Sequence, residues 1–296
     1  MRALLVANSR AGRTRGEAGV ERLERRLRAV GVEVQRVPAA TGGAVAEALR
    51  EMLRGESPGQ TRVIVAGGDG SINAALPALA GSKFPLAILP VGSVNVLARE
   101  LGLPRGLEAA IDVAVRGARR EIDLGTANGK PFALMAGLGF DAAVVRSVAP
   151  AVKNLVGSFA YIARGLRLLA DYAPSRFLIE TESGKIHAEA WLAVVANASR
   201  YTYRWRLAPE ARIDDGWLDL CLFESASRAQ TGGHVLAALS GRHVDHPGVR
   251  HLRARELSFA CEPPVCLQLD GDPAGETPVA IRIAPRALSV VVPAGA

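Results

Sequence analysis

Several protein classes are excluded by what the sequence has little of. Among 296 residues only three are cysteine (Cys221, Cys261 and Cys266), an odd number without a C-x-x-C pair. A disulfide framework and a zinc ribbon are therefore poor readings. Cys221 lies in the apolar run 218–223 and reads as a buried strand thiol. Aromatic residues make up 5%, which gives little material for a base-stacking platform. No window approaches the ~20 apolar residues that cross a bilayer. The apolar run at residues 3–7 is shorter than the roughly 7–15-residue core of a secretion signal. A cytoplasmic location is expected, with peripheral membrane contact left open. There is no collagen period, internal repeat or low-complexity tract.

What is present is the composition of a globular protein, with 49% hydrophobic and 22% charged residues. Lys and Arg number 36 against 29 Asp and Glu, so the formal charge is 36 − 29 = +7. A basic chain favours an anionic partner: nucleotide, nucleic acid or acidic membrane. At roughly 100–200 residues per domain, the length suggests two domains.

The first third alternates short apolar runs with amphipathic stretches. Residues 3–7 read as a buried strand. Val20, Leu23, Leu27 and Val30 then share one helical face, with Arg22, Arg25, Arg26 and Arg28 opposite. A strand at 32–37, a helix carrying Val45, Leu49, Met52 and Leu53, and strands at 62–66 and 86–89 follow. This rhythm predicts a parallel, doubly wound α/β sheet over residues 1–120, with ligands at the carboxyl ends of its strands. Beyond it, strands are expected at 119–126, 131–136, 176–180, 187–197, 217–223, 257–259 and 265–269. Asn128-Gly129, Ser183-Gly184 and Asp215-Gly216 mark turns between several of them. Helices near 141–149 and 152–170 interrupt. Residues 121–296 should thus form a mainly antiparallel β-sandwich domain with helical insertions, the last ten or so residues being free to return to the first domain.

The most informative segment is Gly67-Gly68-Asp69-Gly70-Ser71-Ile72-Asn73, where a strand ends in glycines and Ser71 is placed to begin a helix. Glycines let the backbone approach a polyphosphate, and a helix N-terminus offers unpaired N–H groups to its charge. Asp69 in that cradle would repel phosphate unless it manages a metal or a proton. The bland alternative is a glycine-rich turn with a capping Asp. Neither G-K-[ST] nor G-x-G-x-x-G is present, so the loop is not a Walker or Rossmann fingerprint.

The segment resembles the GGDGT-x-N signature of the diacylglycerol kinase catalytic family, which includes bacterial lipid kinases and the sphingosine and ceramide kinases. Other segments agree in the family's order. Asn8-Ser9-Arg10-Ala11-Gly12 is similar to its N-P-x-S-G loop, and Thr41 precedes a helix as the family's Thr does. Leu89-Pro90-Val91-Gly92-Ser93-Val94-Asn95 resembles L-P-x-G-T-x-N. Asp123-Leu124-Gly125, Gly137-Leu138-Gly139-Phe140-Asp141, the run 208–219 and Leu269-Asp270-Gly271-Asp272 match later motifs.

The resemblance implies an ATP site at Asn8, Gly12, Thr41, Gly67 through Asn73, Gly92, Ser93 and Asn95. It implies Mg²⁺ at Asp215, completed by the carbonyls of Arg212 and Trp217; hard oxygen donors on a turn suit that ion independently. Asp69 and Asp123 would form an acidic network near the triphosphate. Asp272, with Asp270 beside it, takes the place of the general base, in a cleft expected between the domains. Ala74 and Val96 stand where relatives often carry carboxylates, which weakens the case for a second catalytic Mg²⁺.

The implied activity is phosphoryl transfer from ATP to a lipid alcohol, diacylglycerol first. A sphingoid or ceramide acceptor, or a catalytically weak nucleotide-responsive membrane protein, stands as the alternative; a soluble NAD kinase fits less well. The expected partners are the lipid, the anionic inner face of the cell membrane, and optionally a second copy of the chain, but not nucleic acid. Arg10, Arg13 and Arg15 either meet phosphate or form a solvated loop. The run Arg200-Tyr201-Thr202-Tyr203-Arg204-Trp205-Arg206 either lines the lipid cleft and touches headgroups or is a plain surface loop. The helix at 152–170 either packs on the β domain or lies at the membrane interface. His243, His246 and His251 read as a surface connection rather than a metal site.

Overall fold

The computed structural model describes residues 1–8, 16–38, 42–147, 172–202, 206–225, 230–231, 233–234, 237, 243–244 and 246–295. Gly12, Thr41, Arg10, Arg13, Arg15, the helix expected at 152–170 and residues 203–205 lie outside them. The chain forms two compact units, Met1–Leu124 with Pro285–Ala296, and Gly125–Ala284.

The first unit contains β1 (Arg2–Ala7), α1 (Glu17–Ala29), β2 (Glu33–Arg36), α2 (Gly42–Leu53), β3 (Thr61–Gly67), α3 (Asp69–Leu79), β4 (Leu86–Pro90), α4 (Val96–Glu100) and α5 (Leu107–Arg116). β2, β1, β3 and β4 lie side by side in that order, all parallel. The end of β15 (Val279–Val292) joins them, pairing Val290 with Leu86 of β4. β1, β3 and β4 are unbroken apolar runs because both of their faces are covered; Leu4, Leu5 and Ile64 are wholly buried. β2, at the edge, exposes Glu33 and Gln35. On α1, Val20, Leu23 and Leu27 face inward, and the inward-lying Glu24 is neutralised by Arg28 at 3.2 Å and Arg36 at 2.7 Å.

After β5 (Ala118–Ala127) come β6 (Lys130–Phe132), β7 (Met135–Gly139), α6 (Phe140–Ser147), β8 (Ser175–Thr181) and β9 (Gly184–Ala196). β10 (Leu218–Glu224), β11 (Val249–Ala254), β12 (Glu256–Glu262), β13 (Cys266–Leu269) and β14 (Asp272–Glu276) follow, ahead of β15. In the second unit β6 to β14, and β12 with β15, pair antiparallel among the described residues. The long β9 pairs β8 through its first half, and β7 and β10 on opposite sides through its second. Phe132, Phe177, Phe259, Leu220 and Ile281 centre the core. Gly125 is required there, since a Cβ would lie 2.0 Å from the Phe132 ring.

The single strand expected at 131–136 is two strands, β6 and β7. Between them the amides of Ala133 and Leu134 donate to the Asp270 carboxylate rather than to a neighbouring strand. α3 begins at Asp69, with Gly68 as an extended cap, two residues before the expected start. β11, β14 and β15 have no counterpart in the sequence reading; in β11 and β14 exposed polar positions mask the strand pattern, whereas β15 is largely apolar and is simply not assigned.

Of the three histidines expected on a surface connection, His251 is exposed and His246 partly so, but His243 is not at the surface. His243 is 2% exposed, its Nε2 lies 2.9 Å from the Leu207 carbonyl, and its ring packs on Phe223. His251, on β11, meets the Cys221 Sγ at 3.3 Å across the β10–β11 pair. Burial pushes the Cys221 thiol up to about 12, consistent with an inert structural residue.

Leu5→Ala should lower the unfolding free energy by about 2–5 kcal/mol, by removing buried methyls from a strand covered on both faces. Arg26→Ala, which breaks only the exposed Arg26–Glu108 pair, should change it by less than about 1 kcal/mol. Urea denaturation of the two variants checks the contrast.

Candidate active site

Three adjacent parallel strands, β1, β3 and β4, deliver their loops to one end of the sheet. The loop after β1 opens at Asn8, whose N–H donates to the Ala66 carbonyl (3.1 Å) and whose Nδ2 lies 3.4 Å from the Ser71 hydroxyl. The Gly67 carbonyl accepts the N–H groups of Val91 and Gly92, both at 3.3 Å, joining the β3 and β4 loops. Here glycine is obligatory. A Cβ on Gly92 would sit 2.5 Å from the Gly68 Cα, and one on Gly67 would sit 2.2 Å from the Ser71 Oγ. Asn95 adopts a left-handed conformation (φ 54°) and donates through Nδ2 to the Gly92 carbonyl at 2.8 Å. Its Oδ1 is buried with no hydrogen-bond partner among the described residues. A cavity of about 180 Å³ opens beside Gly92, Ser93 and Asn95, and Arg99 and Arg105 also line it.

Ile72, assigned to the nucleotide site with its neighbours, is only 2% exposed. Its side chain packs in the unit's interior and its N–H donates to the Gly68 carbonyl. Asp69 makes contacts that the sequence did not reveal. Its carboxylate accepts the Leu97 N–H at 3.3 Å and is stabilised by the amides of Asn95 and Val96, in the first turn of α4. Burial raises its pKa, while those amides oppose the shift. Asp69 therefore ties the β3 loop to the β4 loop. Asp123 is buried and accepts the N–H of Arg286, which is left-handed (φ 51°), at 2.8 Å.

In the second unit, Asp270 and Gly271 both have positive φ (48° and 82°) and close the tight turn between β13 and β14, where Leu269 pairs with Asp272. An Asp-Gly pair with two positive φ values is the hairpin turn that suits twisted strands. The Asp270 carboxylate accepts the amides of Ala133, Leu134 and Met135 at 2.6, 2.9 and 2.9 Å. It is an anchor for the backbone. Asp272, half-buried, begins β14 directly after the turn.

At the expected Mg²⁺ position, Asp215 accepts the Trp217 N–H at 3.1 Å through Oδ1 and pairs with Arg253 through Oδ2. Arg253 also reaches Asp219 at 3.5 Å, and Arg253 and Arg255 both lie over the Trp217 ring. Asp219 has a raised pKa, from burial together with Asp215 and Glu210, against the pull of Arg253. Its Oδ2 is buried with no hydrogen-bond partner among the described residues. An orphaned carboxylate oxygen beside Asp215 fits a hard divalent ion, with Arg253 as its competitor.

A further buried group has no role in the sequence reading of the site. Asp141, on α6, is 7% exposed and accepts from Gln268 Nε2 at 3.0 Å, the Ala142 N–H at 2.6 Å and the Tyr201 hydroxyl at 3.4 Å. Burial pushes its carboxyl up to about 6, against those hydrogen bonds. Tyr201 titrates far above the usual tyrosine range for the same reason, so its hydroxyl stays a donor. It points inward to Asp141, while Arg200 and Arg206 pair as a bridge. The available signal is Gln268, a lone polar residue inside the apolar run 265–269.

Residues 2–127 match the model of the diacylglycerol kinase catalytic domain, and residues 135–292 that of the YegS C-terminal NAD kinase beta sandwich-like domain. A diacylglycerol kinase from Staphylococcus saprophyticus is 30% identical over 236 residues, 79% of this chain and 77% of its own. One from Bacillus subtilis (strain 168) is 28% identical over 295 residues, 99% and 96% of the two chains. The crystal structure of a diacylglycerol kinase from Bacillus anthracis str. Sterne shares the fold, with a TM-score of 0.71 at 18% identity and coverage of 99% and 97%. Fold and site thus define a two-unit kinase, an α/β unit with glycine loops and an antiparallel β-sandwich unit. The chain belongs to the diacylglycerol kinase family, phosphotransferases with an alcohol group as acceptor.

The Asp141 carboxyl titrates near 6 when folded against a reference value of 3.8. The native state then holds the extra proton between those values, so this group's stabilisation is full below pH 4 and is lost as pH rises through 6. Relative to Asp141→Asn, the wild type should lose about 3 kcal/mol between about pH 4 and 7. Urea denaturation of both proteins across that range checks the sign and size.

Proposed function

We propose that this protein is an ATP-dependent lipid kinase that transfers the γ-phosphoryl group to the hydroxyl of a lipid alcohol, diacylglycerol first among the acceptors. The observation that carries the reading is the backbone contact of Gly68 with Gly92. It holds two glycine loops together at the carboxyl ends of parallel strands, with no room for a side chain where they meet. In this reading the first unit binds the nucleotide through Asn8, Gly67, Gly68, Gly70, Ser71, Asn73, Gly92 and Ser93. Arg99 and Arg105, lining the adjacent cavity, supply positive charge. The second unit takes the lipid.

Phosphoryl transfer needs positioning and charge neutralisation more than covalent chemistry. Asp272 accepts the proton of the lipid hydroxyl as its oxygen bonds to the γ-phosphorus. The bond from that phosphorus to the β–γ bridging oxygen breaks, and its electron pair leaves with ADP. A carboxylate suffices as base because the alcohol loses its proton late. Asp270 serves this step indirectly, by pinning the turn that carries Asp272. Asp215 and Asp219, with the carbonyls of Arg212 and Trp217, would hold Mg²⁺, which when bound supplies local charge neutralisation and rigidity. Among the described residues no helix is long and apolar enough to cross a membrane. The +7 charge supports reversible attraction to an anionic surface, at roughly 1 kcal/mol per basic residue near it.

Incubation with Mg²⁺, γ-labelled ATP and separate vesicles containing diacylglycerol, sphingosine or ceramide, with NAD as a soluble control, should label diacylglycerol. Label confined to another lipid would reassign the acceptor, and label in no product alongside intact ATP binding would defeat the kinase reading. Asp272→Asn should lower kcat by about 10²–10⁴-fold with ATP binding retained. Gly92→Ala should weaken ATP binding at least about tenfold, a loss of about 1.4 kcal/mol.

A further inference from the structure

Gln268 joins two features of the second unit that lie far apart in the chain. It sits on β13 directly opposite Gly137 of β7 and is 2% exposed. Its Nε2 donates to the Asp141 Oδ2 at 3.0 Å, and its Oε1 accepts the Gly271 N–H at 2.7 Å. The carboxamide can face only one way, because a carboxylate accepts on one side and an amide N–H donates on the other. The space is closed as well: a Cβ on Gly137 would lie 2.0 Å from the Asp141 Oδ2 and 2.6 Å from the Gln268 Nε2. Asp141 is held in turn, its Oδ1 accepting the Ala142 N–H at 2.6 Å.

We infer that Gln268 is a positioning residue: its carboxamide couples the buried Asp141 carboxylate on α6 to the Asp270-Gly271 turn and so fixes where Asp272 is presented. The inference rests on the reading of Asp272 as the base. Asp270 fixes one side of the turn through the amides of 133–135, and its own N–H donates to the Met135 carbonyl. Gln268 fixes the other side through Gly271. With both sides held, the peptide entering Asp272 is kept from swinging. With the Gln268 carboxamide removed, the turn loses one of these two anchors.

Reversing the hydrogen-bonding pair tests this. In Asp141→Asn, the Ala142 N–H keeps Oδ1 in place, so the new amide nitrogen faces the Gln268 Nε2 and two donors meet. Gln268→Glu sets a carboxylate against Asp141, so two acceptors meet. The double variant D141N/Q268E restores the chain in the opposite sense. The amide introduced at position 141 donates to the carboxylate introduced at position 268, whose other oxygen accepts the Gly271 N–H. Gln268→Met removes the chain at similar volume. Each single variant should lower kcat about 10–100-fold with the KM for ATP within about twofold, and should speed amide exchange at Gly271. The double variant should recover kcat to within about threefold and regain protection at Gly271. Wild-type kcat in Gln268→Met, or a double variant no better than its parents, overturns the inference. So does faster exchange at Gly271 without loss of kcat. Asp272→Asn, assayed in parallel, tests the base reading separately: full turnover there removes the base, while Gly271 exchange still reports whether Gln268 holds the turn.

Discussion

The first unit is organised around one close approach, that of the Gly68 and Gly92 backbones, where a methyl group would sit 2.5 Å from the opposing Cα. β3 and β4 are hydrogen-bonded neighbours, so their loops leave the sheet side by side and must either diverge or touch. They touch, and the Gly67 carbonyl takes two amides from the second loop to keep them so. Asp69 makes the arrangement two-sided: it opens α3 yet gives its carboxylate to the first turn of α4. A carboxylate facing helix amides is stabilised there. That resolves the difficulty of an acid inside an anion cradle, because its charge is directed at a neighbouring helix.

The same economy recurs among the acidic candidates. Asp123 holds a left-handed residue of β15, Asp270 gathers three amides, and Asp215 is shared between an amide and a guanidinium. Hydrogen bonds to charged groups are worth about 1.5–3 kcal/mol, and leaving such donors unmet when buried costs about as much. Residues of this kind serve the fold whether or not they touch substrate. An acidic residue in a motif can therefore serve the fold as well as the chemistry. Asp272 differs in position, at the start of a strand immediately beyond an anchored turn.

Much of this was legible in the residues. The parallel strands of the first unit are unbroken apolar runs and α1 shows its period openly, so both follow from burial on two faces or one. The glycine loops were legible because glycines after a strand signal close backbone approach, which holds at Gly67 and Gly92 though not at Gly70. Less visible were elements whose residues answer to distant partners. β6 and β7 read as one strand because the amides that break it are taken by Asp270, far along the chain. β14, with the sequence Asp-Pro-Ala-Gly-Glu, has no strand pattern of its own and pairs because the Asp270-Gly271 turn folds it back on β13. His243 looked like a surface residue because nothing nearby in the chain reveals Phe223 against its ring.

The departures from the family pattern acquire a physical reading in the same setting. Val96 is 7% exposed and its amide lies against the Asp69 carboxylate. An acidic side chain at position 96 would bring a second carboxylate toward one whose pKa burial has already raised, and like charges in such surroundings raise each other further. One of the two would then carry a proton or recruit a cation. With valine there, the Asp69 carboxylate meets backbone amides. The loop junction is thus held by hydrogen bonds internal to the chain, with the Asp69 carboxylate and the Gly67 carbonyl as acceptors.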